Sequence, residues 1–381
     1  MKVTCKQQDL NRGLSVVAHA VSNRSTLPIL ANVLLATDQG RLRLYATNLE
    51  IGINCWVDAQ VHEEGSITVP AKRISDFVGS LPQAAVDIGV PADSYTVSVR
   101  SLRSSANIEG MDPAEFPLSP TTEGSEEPVT LAATQLKEMI EQVAFAAADD
   151  DSRPVFTGVL VKINNHKITF AAADAFRLAV RVATLTSDST MRNDILIPAR
   201  TLTELARILP SEGAVQMIVT PNRSQVLFHS ENIDLLSRLI EGTFPNFYQI
   251  IPKESSTRAI IDTKEFAAAV RSVTPFARDS SNITRVKIAS ADDEGTVTIE
   301  ATAEDVGSGV STINAKVEGQ EQEQQIIFNV KYLSDVLAVI DTPEVALEVT
   351  SPARPGVIKP WNSDEATIDY TYVIMPMSTN R

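Results

Sequence analysis

Ile195–Pro210 reads I-L-I-P-A-R-T-L-T-E-L-A-R-I-L-P. Ile195, Leu196 and Ile197 are bulky and apolar, which suits a short buried strand. Pro198 removes a ladder donor and ends it. Leu202, Leu205, Ile208 and Leu209 then recur at helical spacing and leave Arg200, Glu204 and Arg207 to other faces. Pro210 stops the helix. The same order occurs twice more, in Ile67–Pro82 (I-T-V-P-A-K-R-I-S-D-F-V-G-S-L-P) and Ile326–Asp341 (I-I-F-N-V-K-Y-L-S-D-V-L-A-V-I-D). Pro70, Pro198 and Asn329 hold equivalent places, 128 and 131 residues apart. A repeat of that length is a domain, not a solenoid unit.

The rest of the chain falls into register with this ruler. The first copy predicts a strand over Met1–Cys5, a helix over Gln7–Val21 and strands over Leu27–Ala36, Arg41–Ala46 and Ile51–Val57. After the Ile67–Pro82 unit come strands at Val86–Val90, Tyr95–Arg100 and Ser105–Glu109. The second copy predicts a helix over Thr134–Ala148 and strands over Val155–Ile163 and Lys167–Ala172. Leu136 precedes Pro154 by 18 residues, as Leu10 precedes Pro28. The third has its helix at Thr263–Ala277, strands near Arg285–Ser290 and Thr296–Ala301, and a final strand within Ile368–Met377. Acidic Thr121–Pro128 and polar Lys253–Arg258 read as linkers. The expected domains are 1–124, 128–252 and 255–381. The fold class is α+β: three repeated domains, each with two amphipathic helices on one face of antiparallel sheets.

Composition narrows the function. Hydrophobic content of 43% and charged content of 21% are those of a soluble globular protein. Met1-Lys2-Val3-Thr4 runs straight into strand-like sequence, so no leader is expected, and no run spans a bilayer. Cys5 and Cys55 stand far apart, which fits a reducing cytoplasm and no disulfide. A net charge of −15 opposes nucleic acid binding over the whole surface, though one face can still be basic.

No catalytic constellation is legible. His19, His62, His166 and His229 lie in unrelated contexts with no ligand spacing. There is no Gly-rich phosphate loop, and Gly307-Ser308-Gly309 lacks the strand-to-helix setting of a nucleophile elbow. Asp149-Asp150-Asp151 reads as a solvated loop and Asp292-Asp293-Glu294-Gly295 as a hairpin turn. No catalytic residue, metal or cofactor is expected. Basic residues do gather on the helices and the loops that lead into them, among them Arg24, Lys72, Arg73, Arg153 and Arg200.

Five segments carry a family resemblance: Arg24-Ser25-Thr26-Leu27-Pro28-Ile29-Leu30, Arg153-Pro154-Val155-Phe156-Thr157-Gly158, Ala173-Asp174-Ala175-Phe176-Arg177-Leu178-Ala179, Phe244-Pro245, and Tyr372-Val373-Ile374-Met375-Pro376-Met377. Over its whole length the chain resembles the bacterial sliding clamp, the β subunit of DNA polymerase III. The resemblance implies clamp-type domains and a head-to-tail homodimer, a six-domain ring with helices inside and sheets outside. Such a ring retains duplex DNA by enclosing it, so phosphate contacts can be few and weak. Arg24, Lys72, Arg73, Arg153 and Arg200 are the expected phosphate contacts.

The resemblance also implies a partner groove at Phe156, Ala173, Phe176, Arg177, Leu178, Pro245, Ile250, Val373, Met375, Pro376 and Met377. Methionine and proline beside aliphatics make an adaptable apolar trough for short peptide motifs of the replicative polymerase, the clamp loader and other proteins. Ser378-Thr379-Asn380-Arg381 extends the chain beyond the ending usual in the family, and could fold beside that groove. The seam between subunits maps to Ala106 and Ile108 on one side, Pro275 and Phe276 on the other. The function expected is a non-enzymatic processivity factor, cytoplasmic and nucleoid-associated in a bacterium. A non-encircling three-domain scaffold, or an enzyme with a site between domains, are the rival readings.

Overall fold

The computed structural model describes residues 1–22, 27–91, 94–117, 127–150, 152–185, 194–290, 295–304, 307–319, 323–362 and 368–377. Six α-helices lie among these: α1 Gln7–Ala18, α2 Ala71–Ser80, α3 Ala133–Val143, α4 Ala199–Ile208, α5 Thr263–Arg278 and α6 Val330–Leu337. Each repeat therefore has its two. The strand-then-helix unit forms all three times, as Ser66–Pro70 into α2, Ile195–Pro198 into α4 and Glu323–Asn329 into α6.

In the central copy Ile195, Leu196 and Ile197 are buried, and Pro198 is the last residue paired, opposite Gly158. Leu202, Leu205 and Ile208 are buried on one face of α4 while Arg200 and Arg207 stay exposed. Each such leucine contributes about 1.5–3 kcal/mol by burial, so Leu202→Ala costs about 2–5 kcal/mol. Asn329 caps α6 by accepting from the Lys331 amide at 2.9 Å. Asp262 caps α5 the same way through Glu265, also at 2.9 Å. Each cap is worth about 1 kcal/mol.

Two expected strands begin instead as turns of 3₁₀ helix, Pro28–Ala31 and Pro154–Thr157. A proline opens both. Its fixed φ suits the first helical position, and its missing N–H costs nothing there. The strands proper are Asn32–Asp38 and Gly158–Asn164. α1 stops three residues short of the expected Val21, its last carbonyls taken by i→i+3 bonds from His19, Ala20 and Val21. Strand Ala59–Glu63, whose short A-Q-V-H-E alternation buries no residue fully, escapes the sequence reading. Thr257 and Arg258, expected in a linker, open strand Thr257–Asp262.

The described chain separates into two compact units rather than three: residues 1–136 with 204–239, and residues 137–185 and 194–203 with 240–377. The reason lies in sheet continuity. In the first unit, Ile233–Arg238 of the middle repeat pairs antiparallel with Ile51–Val57 of the first, giving an eight-stranded sheet. A five-stranded sheet beside it ends at Ser104–Glu109. In the second unit, Arg177–Thr184 of the middle repeat pairs with Tyr370–Ile374 of the third, within a twelve-stranded sheet. The middle repeat thus lends half its strands to each neighbour. No described helix is long and apolar enough to cross a membrane.

Candidate partner-binding groove

The groove grows from two adjacent strands of the second unit. Lys167–Ala173 and Arg177–Thr184 are joined by a tight turn, with Ala173 opposite Leu178. Leu178 in turn stands opposite Val373 on the next strand. Ala173, Leu178 and Val373 belong to one buried cluster with Phe244, Phe247 and Val357, and Phe156 packs against its rim. Strand pairing therefore brings Ala173, Leu178 and Val373 together although they stand up to about two hundred positions apart, and Phe156 packs against them.

Four large apolar side chains on the segments that bear this cluster stay exposed: Phe176, Tyr248, Ile250 and Met375. Apolar groups clustered at the surface mark an interaction site more than a scatter does. Phe176 and Met375 are tied directly, the Met375 amide donating to the Phe176 carbonyl at 2.8 Å. The Met377 amide donates to the Ile327 carbonyl at 2.9 Å, which fixes the half-buried Pro376-Met377 end. Pro245 is exposed between Phe244 and Phe247, and the Ile250 amide caps the short 3₁₀ turn Phe247–Gln249.

Tyr248 is absent from the expected lining. Its ring lies 4.3 Å from that of Phe247 and continues a run of aromatic contacts from Phe156 through Phe244. An aromatic residue beside Phe244-Pro245 was the available signal.

Arg177 departs from its expected role in the lining. Its side chain is only 7% exposed, with Nε donating to Asp174 at 3.0 Å and Nη1 to Asp335 at 2.6 Å. The guanidinium also lies over the rings of Tyr332 (4.5 Å) and Phe145 (5.5 Å). Burial works against its charge, but Tyr372, Asp335 and Asp174 outweigh that and raise its pKa further. Arg177 instead ties the Asp174 turn to Asp335 in α6.

The other expected sites divide. Lys72, Arg73 and Arg200 are exposed in the first turns of α2 and α4, where the helix dipole adds to their charge. Arg207 is held by Glu204 at 2.6 Å. Arg153 is exposed and stands 5.2 Å over the Phe156 ring, which puts it at the groove's rim. Arg24 and Ser378–Arg381 lie outside the described residues.

On the seam, Ala106 is half-buried, but Ile108 is buried in its own repeat opposite Val97, so its side chain cannot serve a partner. Pro275 is exposed and Phe276 half-buried, both in the last turns of α5.

His19 meets Glu204, which also holds Arg207, at 2.5 Å; His229 meets Asp234 at 2.6 Å; and His62 lies 3.2 Å from the Thr4 hydroxyl, which donates to Asp87 at 2.7 Å. Asp150 turns its carboxylate onto Ser152, an ordinary loop contact; Asp151 and residues 291–294 are outside the described set. No group of three or more His, Cys, Asp or Glu is placed to hold a metal among the described residues.

Three consecutive family matches cover the chain: the DNA polymerase III beta subunit N-terminal domain at residues 1–120, the central domain at 130–246 and the C-terminal domain at 248–378. The chain belongs to the DNA polymerase III β-subunit family. It is 32% identical over 396 residues to the β sliding clamp of Synechocystis sp., covering 99% of each chain. Against the β sliding clamp of Bacillus subtilis it is 31% identical over 389 residues, with full coverage of both. The crystal structure of the B. subtilis DNA polymerase sliding clamp superposes with a TM-score of 0.91 at 29% identity over the whole of both chains. That of the Pseudomonas aeruginosa DNA polymerase III β subunit gives 0.88 at 26% identity, covering 99% and 100%.

As a member of the β-subunit family the chain is a DNA sliding clamp, a non-catalytic processivity factor of the replicative polymerase. Membership favours neither the enzyme reading nor the scaffold that never encloses DNA.

Proposed function

We propose that two copies of the chain join head to tail into a six-domain ring around duplex DNA, and that partners dock short apolar peptide segments in the groove. The repeats at 1–124, 128–252 and 255–381 are its clamp domains. The observation that carries the ring is a pair of dissimilar open edges. Among the described residues, strand Ser104–Glu109 is paired only with Thr96–Ser101. Among the same described residues, the Gly307–Ala315 part of strand Gly307–Gly319 is paired only with Gly295–Ala303, and its Val310 is 63% exposed.

An open edge is a template for another chain, and two different edges on one chain make a heterologous contact that closes when the rotation allows. Ala106 lies on the first edge, and Phe276 packs beside Gly309 on the second. Lys72, Arg73, Arg153 and Arg200, with Arg24, are the proposed phosphate contacts. The ring is opened by a loader ATPase and works at the bacterial nucleoid in the cytoplasm.

A retention assay tests this. Protein loaded on nicked circular DNA should survive high salt and be lost when the circle is cut. Release by salt alone, indifferent to the cut, would refute encirclement.

A further inference from the structure

Phe176 and Met375, two of the apolar side chains assigned to the groove, are exposed and so are not located by packing. Their backbone locates them. The Phe176 amide donates to Asp174 Oδ1 at 2.7 Å, and the Arg177 amide donates to the same oxygen at 2.9 Å. The Asp174 amide returns a bond to the Arg177 carbonyl at 3.1 Å, and the Phe176 carbonyl receives Met375. A short carboxylate accepting from the backbone two and three residues on is the aspartate turn, a stiff local device.

The turn is held from outside as well. Asp174 Oδ2 accepts from Arg177 Nε, and Arg177 Nη1 reaches Asp335 in α6 at 2.6 Å. Tyr332, one turn earlier in α6, lies under the same guanidinium. A buried guanidinium that loses one carboxylate must find another or move, because its unpaired donors are costly to leave dry. Movement of Arg177 is transmitted to Asp174 and so to the turn.

We infer that Asp174 and Asp335 are positioning residues for the groove: acting through Arg177, they hold Phe176 and Met375 where a bound peptide's apolar side chains meet them. The inference rests on the groove reading above. It makes the third repeat contribute to the site twice, through the chain end and through α6.

The test uses the full chain with Asp335→Asn, Asp335→Glu, Asp174→Asn and, as a control on the groove, Phe176→Ala. The probe is a fluorescein-labelled peptide about ten residues long with leucine and phenylalanine anchors, read by anisotropy. Hydrogen exchange of the Met375 amide reports the Phe176–Met375 tie without any peptide.

Asp335→Asn should weaken the peptide about tenfold and speed Met375 exchange, and Asp335→Glu should restore most of both. Asp174→Asn, which keeps an acceptor for the backbone but loses the charge, should act in the same direction. Wild-type affinity in Asp335→Asn overturns the inference while leaving the groove standing. So does weaker binding with Met375 exchange unchanged, or a loss that glutamate does not rescue. If the wild type fails to bind, or Phe176→Ala binds as well as wild type, the groove reading fails and this inference fails with it.

Discussion

Phe276 lies so close against Gly309 that a Cβ on the glycine would come within 2.6 Å of the Phe276 Cδ2. The ring is therefore fitted to the one-sided edge of strand Gly307–Gly319, where any other residue would push it away. A large apolar side chain laid along an unpaired strand edge is well placed to be covered by the strand that completes the edge.

Phe276→Arg should thus shift the dimer toward monomer. Covering the ring contributes about 1.5–3 kcal/mol, lost at each of two seams. Sedimentation at sub-micromolar concentration should show the slower species, with the thermal midpoint lowered modestly because Phe276 is only half-buried in the single chain. An unchanged dimer would remove Phe276 from the seam.

Phe176→Ala removes an exposed ring, so folding stability should hold within about 0.5 kcal/mol. Peptide affinity should fall about ten- to a hundredfold, the worth of one phenyl face in an apolar site. Calorimetry on the same preparation separates the two effects.

For DNA, Lys72→Ala, Arg73→Ala and Arg200→Ala should each reduce the salt slope of duplex binding by about 0.9 for every phosphate left without its cation. Arg207→Ala should change it little, since Glu204 already occupies that guanidinium. Equal slopes for all four variants would mean that the first turns of α2 and α4 do not meet the backbone.

Burial pushes the Cys5 thiol up to about 12 and the Cys55 thiol up to about 11. Both titrate higher in the folded chain than in the unfolded, where a thiol loses its proton at about 8.5. The native state therefore keeps protons that the unfolded state gives up. Their stabilising share is complete below about pH 8.5 and is lost as pH rises toward 11 and 12. Urea midpoints should fall across that window, and less steeply in Cys5→Ala/Cys55→Ala. At pH 8 the native thiols should resist iodoacetamide.

The sequence made the repeat legible because Ile195–Pro210 and its two counterparts place apolar residues at fixed spacing around a strand end. It misled at Pro28 and Pro154, where apolar neighbours look strand-like but the ring geometry of proline starts a 3₁₀ turn. Strand Ala59–Glu63 was hidden because it lies largely exposed along a sheet edge and carries no buried alternation. Phe156, Ala173, Leu178 and Val373 were assigned together by motif, and strand pairing explains why the last three meet. Asp335 was out of reach: it stands 158 residues from Arg177, and nothing in its helical setting marks the pair. The three-repeat pattern is likewise a fact of sequence, whereas compactness follows the sheets and yields two units.

That last feature bears on fragment complementation. Ile233–Arg238 meets Ile51–Val57 through main-chain hydrogen bonds in five registered pairs, extended by Trp56 to Asn232 and Arg238 to Glu50. Two polypeptides, 1–124 and 125–381, produced in one cell should therefore find each other and co-purify without a peptide bond between them. Severing that joint alters which atoms are covalently continuous and leaves the ladder that unites the first two repeats intact.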